Sequence, residues 1–241
     1  MWPFKKSVSS LQESGMFKGF TDWHSHILPG VDDGIKTLDD SLAVLTRYEE
    51  LGFRKVWLTP HVMEDYPNEP EKLKEVFATL KDAWKGNVEL SLAAENMIDN
   101  LFDERLSSGQ VLPIGDHGQH LLVETSYFTP PMDFEEQLEN VMSKGFFPLL
   151  AHPERYQYMA EKDYKHLKEM GVLFQSNFMS IVGAYGDSAR KKLEWLLDNG
   201  MVDLAGSDVH RLPLIDAMIA KSPSKRKYLD ALLEVAGKSI D

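Results

Sequence analysis

Two imidazoles, His24 and His26, stand two residues apart in the stretch Thr21-Asp22-Trp23-His24-Ser25-His26-Ile27-Leu28-Pro29-Gly30-Val31-Asp32-Asp33-Gly34. On a strand, residues i and i+2 face the same side, so both rings point one way. A Pro-Gly turn and two carboxylates follow. This is a donor set for a cation at the mouth of a strand, although a buried His-x-His also occurs without a metal. Asp32 and Asp33 read as a turn cap, with one of them also a ligand.

The arrangement recurs along the chain. His61 follows Thr59-Pro60, and Glu95, Glu124 and His152 each close an apolar run; Asp208 and His210 repeat the two-residue spacing after residues 202–205. All lie at the C-terminal ends of predicted strands, the end that carries the active site in parallel α/β barrels. Eight imidazoles and carboxylates on one rim are hard to satisfy without cations, so the set reads as a multinuclear metal site. The chain has no cysteine, which excludes disulfides, thiolate ligands and a cysteine nucleophile. Imidazole with carboxylate suits manganese, iron, cobalt or zinc.

Arg155 and Arg211 lie beside these residues. Arginine forks bind phosphate oxygens bidentately, so a cation cluster with adjacent arginine points to phosphoryl chemistry. Arg155, three residues after His152, is the stronger candidate; a surface charge is the simpler reading of Arg211. His117, His120 and His166 fall in a polar loop or a helix and read as surface residues.

The elements that must position these groups alternate. Strands are predicted at 18–24, 55–60, 88–94, 121–123, 146–151, 172–175 and 202–205, and helices at 38–51, 71–85, 97–107, 134–144, 163–170, 188–199 and 224–236. Leu38, Leu42, Leu45 and Leu51 form one face of the first helix, and glycines close most of the helices. Regular βα alternation implies a parallel sheet, and with no Gly-rich dinucleotide fingerprint a closed or distorted barrel is expected. At 241 residues, 43% hydrophobic, the chain suits one domain over residues 18–241, preceded by a loosely held arm at 1–17. The net charge of -12 argues against nucleic acid and acidic membrane as partners. The start lacks a secretory apolar core and no run spans a membrane, so a cytoplasmic protein is expected.

Seven stretches carry a family resemblance: DWHSHILPGVDDG (22–34), TPHV (59–62), AAEN (93–96), LLVETSYF (121–128), LLAHPERY (149–156), QSNFMSIVGAYG (175–186) and AGSDVHR (205–211). In them the chain resembles the PHP (polymerase and histidinol phosphatase) superfamily, and within it the manganese-dependent bacterial tyrosine-protein phosphatases of the CpsB/CapC/YwqE type. The resemblance implies a distorted seven-stranded, TIM-like β/α barrel of the PHP type holding three divalent metals, manganese first. It groups His24, His26, Glu95 and Asp208 on one metal, Glu95, Glu124 and His152 on a second, and Asp33, His61 and His210 on a third. Arg155 falls on the phosphate-contacting arginine. The implied activity is dephosphorylation of the tyrosine-rich tail of a bacterial tyrosine kinase that regulates capsular or exopolysaccharide synthesis, with a metal-activated hydroxide in place of cysteine. Asp33 or His210 is the candidate to assist the leaving tyrosinate. Relatives that form octamers carry Glu-Glu-x-x-x-Arg on the first helix; here Asp39-Asp40-Ser41-Leu42-Ala43-Val44 lacks the arginine, and a homo-oligomer stays an open expectation. The competing enzyme reading is hydrolysis of a small phosphomonoester such as histidinol phosphate. A non-catalytic docking protein would have no need of so full a ligand set.

Overall fold

In the computed structural model, which describes residues 8–240, the predicted alternation takes shape as β1 (Thr21–Asp22), α1 (Leu38–Leu51), β2 (Lys55–Leu58), β3 (His61–Val62), α2 (Pro70–Ala83), β4 (Glu89–Leu92), β5 (Glu95–Met97), α3 (Phe102–Ser107), β6 (His120–Glu124), α4 (Phe134–Ser143), β7 (Phe147–Ala151), α5 (Glu161–Glu169), β8 (Leu173–Asn177), α6 (Gly186–Asp198), β9 (Leu204–Gly206), α7 (Leu212–Ile219) and α8 (Arg226–Ala236). Local chemistry sets the helix ends. Thr37, in extended conformation, accepts the Asp40 amide at 3.1 Å to start α1, and Gly52, at φ 95°, stops it. Short apolar runs between such stops, as in the fully buried β2, are strands covered on both faces.

All pairings of these strands are parallel, in two sheets ordered β1-β2-β4 and β3-β5-β6-β7-β8-β9. Two predicted strands are broken. The run at 55–60 splits into β2 and β3 at Thr59-Pro60, where proline has no amide for the ladder. The run at 88–94 ends as β4, and β5 begins beyond Ala93-Ala94, so α3 starts at Phe102 and not at 97. Across the breaks, Ala93 N reaches Leu58 O at 2.9 Å and Glu95 N reaches Pro60 O at 3.0 Å, which joins the two sheets. At the other edge His26 N bonds Val209 O at 3.1 Å and Asp208 N bonds His24 O at 2.8 Å. The outcome is a single α/β domain on a parallel sheet curled into a half-barrel. Helix α7, which opens on Leu212-Pro213, was not predicted; no helix of the described residues is long and apolar enough to cross a membrane.

The main core lies between sheet and helices, and a smaller one fills the concave side: Trp23, Trp57, Ala93, Ile114, Leu122, Leu149, Ala151 and Leu204. Strand alternation divides them, since Leu122 and Leu149 point inward while Leu121, Val123 and Leu150 join the outer core. Of the segment read as an arm, residues 8–17 are described: Leu11, Met16 and Phe17 are buried in the main core and Leu11 N bonds Lys221 O at 3.0 Å. Residues 1–7 lie outside the described part. His120, expected at the surface, is buried at the start of β6 with its ring 5.4 Å from that of Phe147; its place in the strand was hidden by the polar residues before it.

Candidate metal centre

Glu95 and Glu124 stand two residues beyond Ala93 and Leu122, so the period of the strand turns both carboxylates inward above the apolar plug. His152 directly follows the inward Ala151 and is out of phase with it. Its backbone is left-handed, at φ 35°, as is that of Asp208, at φ 53°. These are the only non-glycine residues of the described chain at positive φ, a costly conformation that clusters at functional sites. Two glycines allow the close approach of the remaining ligands. A Cβ on Gly206 would lie 2.6 Å from His24 Cβ and 2.9 Å from His24 N, and one on Gly34 would lie 2.3 Å from His26 O.

The sequence-derived candidates converge. Donor atoms lie mutually within 4.8 Å in four groups: His26, Asp33, His61 and His210; His24, Glu95 and His152; His24, His26 and Asp208; and His61, Glu95 and Glu124. Asp33, His61 and His210 thus meet as the resemblance groups them, with His26 added. Glu124 faces His61 Nδ1 at 2.9 Å and is 3.9 Å from His152 Nε2. The cluster is buried except at Asp33 and His210, which form its mouth. Arg211, next to His210, is exposed at the start of α7.

The donor chemistry fits cations. His24 Nδ1 meets Gln175 Oε1 at 2.7 Å, and the Gln175 amide nitrogen is engaged with Asn177 Oδ1, so the network puts the His24 proton on Nδ1. His26 Nδ1 likewise meets Asp32 Oδ2 at 2.7 Å. In the neutral rings both Nε2 lone pairs then face inward, 3.1 Å from each other. Glu95 Oε2 lies 3.1 Å from His24 Nε2, 3.3 Å from His26 Nε2 and 3.0 Å from His61 Nδ1, yet it is buried without a hydrogen bond. Glu124 Oε1 and His61 Nδ1 are orphaned in the same way. Asp208 Oδ2 accepts from Arg155 Nη1 at 2.5 Å and Asn177 Nδ2 at 2.8 Å, leaving Oδ1 3.3 Å from His26 Nε2. Acceptors aimed at a common space, with second partners fixing their outer atoms, are the form of a divalent-cation site.

Without a cation the cluster can settle only by taking up protons. Burial opposes the charge on His61, and so does neighbouring His26, but Glu95 and Glu124 raise it to about 10. Glu95 is held far below the usual carboxylate range: burial works against this, but His24 and His61 prevail. Glu124, buried beside the Glu95 charge, is pushed up to about 7. Burial and Arg155 push His152 down to about 4.

Among the supporting residues, Asp32 was weighed with Asp33 as a turn cap or ligand, whereas Gln175, Asn177, Asp22, Tyr127 and Tyr185 were not singled out in the sequence. Asp32, not only its neighbour Asp33, is committed: besides His26 it accepts the amides of Gly34 at 2.9 Å and His61 at 3.1 Å. Gln175 and Asn177 run as a relay from His24 to Asp208. Asp22 accepts Ser207 N at 2.7 Å and Tyr48 Oη at 2.8 Å, tying β1 to the loop after β9. Arg155 lies between two rings, its guanidinium 4.3 Å from the centroids of both Tyr127 and Tyr185. Tyr127, Gln175, Asn177 and Tyr185 all fall within the stretches that carried the resemblance, which was the available signal.

A curled parallel sheet whose C-terminal rim gathers imidazoles, carboxylates and a stacked arginine defines an α/β protein with a nitrogen-and-oxygen cation cluster. The chain matches the family described as capsular polysaccharide synthesis, CpsB/CapC, over residues 20–228, and it belongs to that family. It is similar to the tyrosine-protein phosphatase YwqE of Bacillus subtilis (strain 168), at 28% identity over 197 residues, covering 79% of this chain and 77% of the relative. It is similar also to the tyrosine-protein phosphatase CpsB of Streptococcus pneumoniae, at 29% identity over 204 residues, covering 79% of this chain and 83% of the relative. Among solved structures it aligns with the YwqE and CpsB phosphatases of those organisms, termed metal-dependent, with a TM-score of 0.73 and 22% identity over 92% of this chain and 99% of the other. A lactonase, Lmo2620 of Listeria monocytogenes, shares the fold at a TM-score of 0.51 and 14% identity, covering 96% of this chain and 88% of the other.

Proposed function

We propose that the protein is a metal-dependent protein-tyrosine phosphatase that acts on the phosphotyrosine-bearing tail of a bacterial tyrosine kinase controlling capsule or exopolysaccharide synthesis. In this reading His24, His26, Asp33, His61, Glu95, Glu124, His152, Asp208 and His210 hold three divalent cations, manganese first. Taking β2 with β3 and β4 with β5 as one stave each, the sheet reads as the seven-stave distorted barrel of such enzymes. The observation that carries the proposal is Glu95 Oε2, buried without a hydrogen bond yet set within 3.0–3.3 Å of three imidazole nitrogens.

Bound cations would supply Lewis acidity and a water of lowered pKa at the rim, the chemistry a chain without cysteine requires. The protein's own groups do the rest. Arg155, anchored to Asp208 at one nitrogen and stacked on two tyrosines, presents its remaining N–H groups to the non-bridging phosphate oxygens and neutralises charge developing there. The buried imidazoles and carboxylates keep the phosphoryl group in one orientation. Of the two candidates at the open side, His210 would pass a proton towards the departing tyrosinate, with Asp33 beside it as the counter-charge. Asp33 remains the anion there, held well below the usual carboxylate range by its hydrogen bond to His210.

The test is phosphate release from a phosphotyrosyl peptide by metal-stripped protein, with Mn²⁺ returned, alongside His152→Ala. Turnover that depends on the metal and is lost in the variant supports the reading. Folded, metal-loaded protein that turns over histidinol phosphate but not the peptide would replace it with the small-substrate reading.

A further inference from the structure

A groove of about 740 Å³ opens between the loops that follow β5 and β6. It starts at the metal-facing rim: Met97 and Ser126, both in its lining, stand two residues beyond Glu95 and Glu124. Pro130, Pro131 and Met132 form an apolar wall, with Met132 fully exposed. Asp99, Asp103 and Asp133 line the rest, and among the described residues no lysine or arginine does. Arg105 neutralises Asp99 at 2.6 Å, whereas Asp103 and Asp133 are met by the neutral amides of Gln137 and Asn140.

Gln137 adds an independent sign. It is 7% exposed, lines the groove, and donates through Nε2 to Asp103 Oδ2 at 3.0 Å and Asp133 Oδ2 at 2.7 Å. With the amide so oriented, its Oε1 is left buried without a donor. An orphaned carbonyl and two carboxylates lacking a counter-charge call for a donor carrying positive charge. The apolar wall suits the methylene stem of such a side chain.

We propose that this groove docks a lysine- or arginine-bearing stretch of polypeptide next to the phosphotyrosine, so that the protein selects substrates by basic flanking sequence. The inference rests on the phosphatase reading above. A cation in the groove would pair with the exposed carboxylates of Asp103 and Asp133 while the phosphotyrosine occupies the rim.

Two phosphotyrosyl peptides, alike except for paired lysines or paired glutamates flanking the tyrosine, would be compared with free phosphotyrosine on the manganese-loaded protein. The expected kcat/KM is about fivefold or more higher for the lysine peptide at low salt, shrinking as salt rises. In Asp103→Asn/Asp133→Asn the ratio falls towards one while free phosphotyrosine turns over unchanged; Asp133→Asn alone gives an intermediate ratio should the double variant fold poorly. Equal rates on both peptides, or a preference that survives the substitutions, would overturn the docking proposal. If neither the peptides nor free phosphotyrosine are hydrolysed, the phosphatase reading fails instead. Fluorescence anisotropy with the two peptides then decides the groove, tighter binding of the lysine peptide supporting it and equal binding overturning it.

Discussion

Asp32 accepts the Nδ1 proton of His26 across 2.7 Å, and with the same oxygen meets the amide of His61 at 3.1 Å. One buried carboxylate therefore sets the tautomer of one candidate ligand and the backbone position of another. Asp32→Ala should weaken manganese binding about 10–100-fold while the far-ultraviolet spectrum is kept, as losses of such outer partners do. Isothermal titration of metal-stripped protein measures this. An unchanged affinity would mean that His26 is held by packing alone.

Arg155 is gripped by Tyr127, Tyr185 and Asp208, which leaves its fork little freedom. Arg155→Lys keeps the charge but loses both the planar stacking and the bidentate geometry. The expected loss in kcat/KM on a phosphotyrosyl peptide is about 100-fold, the size of one lost oxyanion-type donor. Tyr127→Leu should cost less, about 3–30-fold, corresponding to one cation–π contact.

The close approach at Gly206 leads to a third expectation. In Gly206→Ala the new methyl would meet His24 Cβ and backbone N inside 3 Å, and neither is the free end of a flexible chain. The substitution should lower the melting temperature and weaken metal binding together. Gly145→Ala is the control: φ there is 89°, so an alanine strains the backbone, which Gly206 does not require, but nothing lies near the added carbon. It should lower stability without a specific loss of metal affinity.

The protons held by the metal-free cluster predict the pH dependence. The folded value of His61, about 10, is raised above its ordinary 6.5, so its contribution to metal-free stability is fully present below about pH 6.5. It is lost as pH rises towards 10. A cation must displace that proton and any on Glu124, itself raised to about 7, so apparent affinity should climb through pH 7–10. Thermal scans with and without Mn²⁺ would show the metal-induced rise in melting temperature growing over that range. Calorimetry in two buffers would show protons released.

Much of the centre was legible because its logic is local. The His-x-His and Asp-x-His pairs, and a carboxylate or imidazole closing each apolar run, follow from strand periodicity and from the place of strand ends in a parallel sheet. The choice between Asp32 and Asp33 was not legible. Adjacent residues of one type differ only in where the turn aims them, and the turn places Asp32 beneath His26 and Asp33 at the mouth. The Tyr127–Arg155–Tyr185 stack was hidden for another reason, since its members sit on separate loops that only the curl of the sheet brings together.

By itself the sequence determined the order of strands and helices, the starts and stops set by Thr37, Gly52 and their equivalents, and the absence of thiol chemistry. These depend on side-chain type, capping and hydrophobic period within a few residues. Tertiary structure alone decided that 55–60 and 88–94 would not stay single strands. It also decided that His152 and Asp208 would turn left-handed to face inward, and that Gln137 would be buried with one oxygen unmet. These outcomes depend on packing and hydrogen bonds between segments far apart in the chain, which no local pattern encodes.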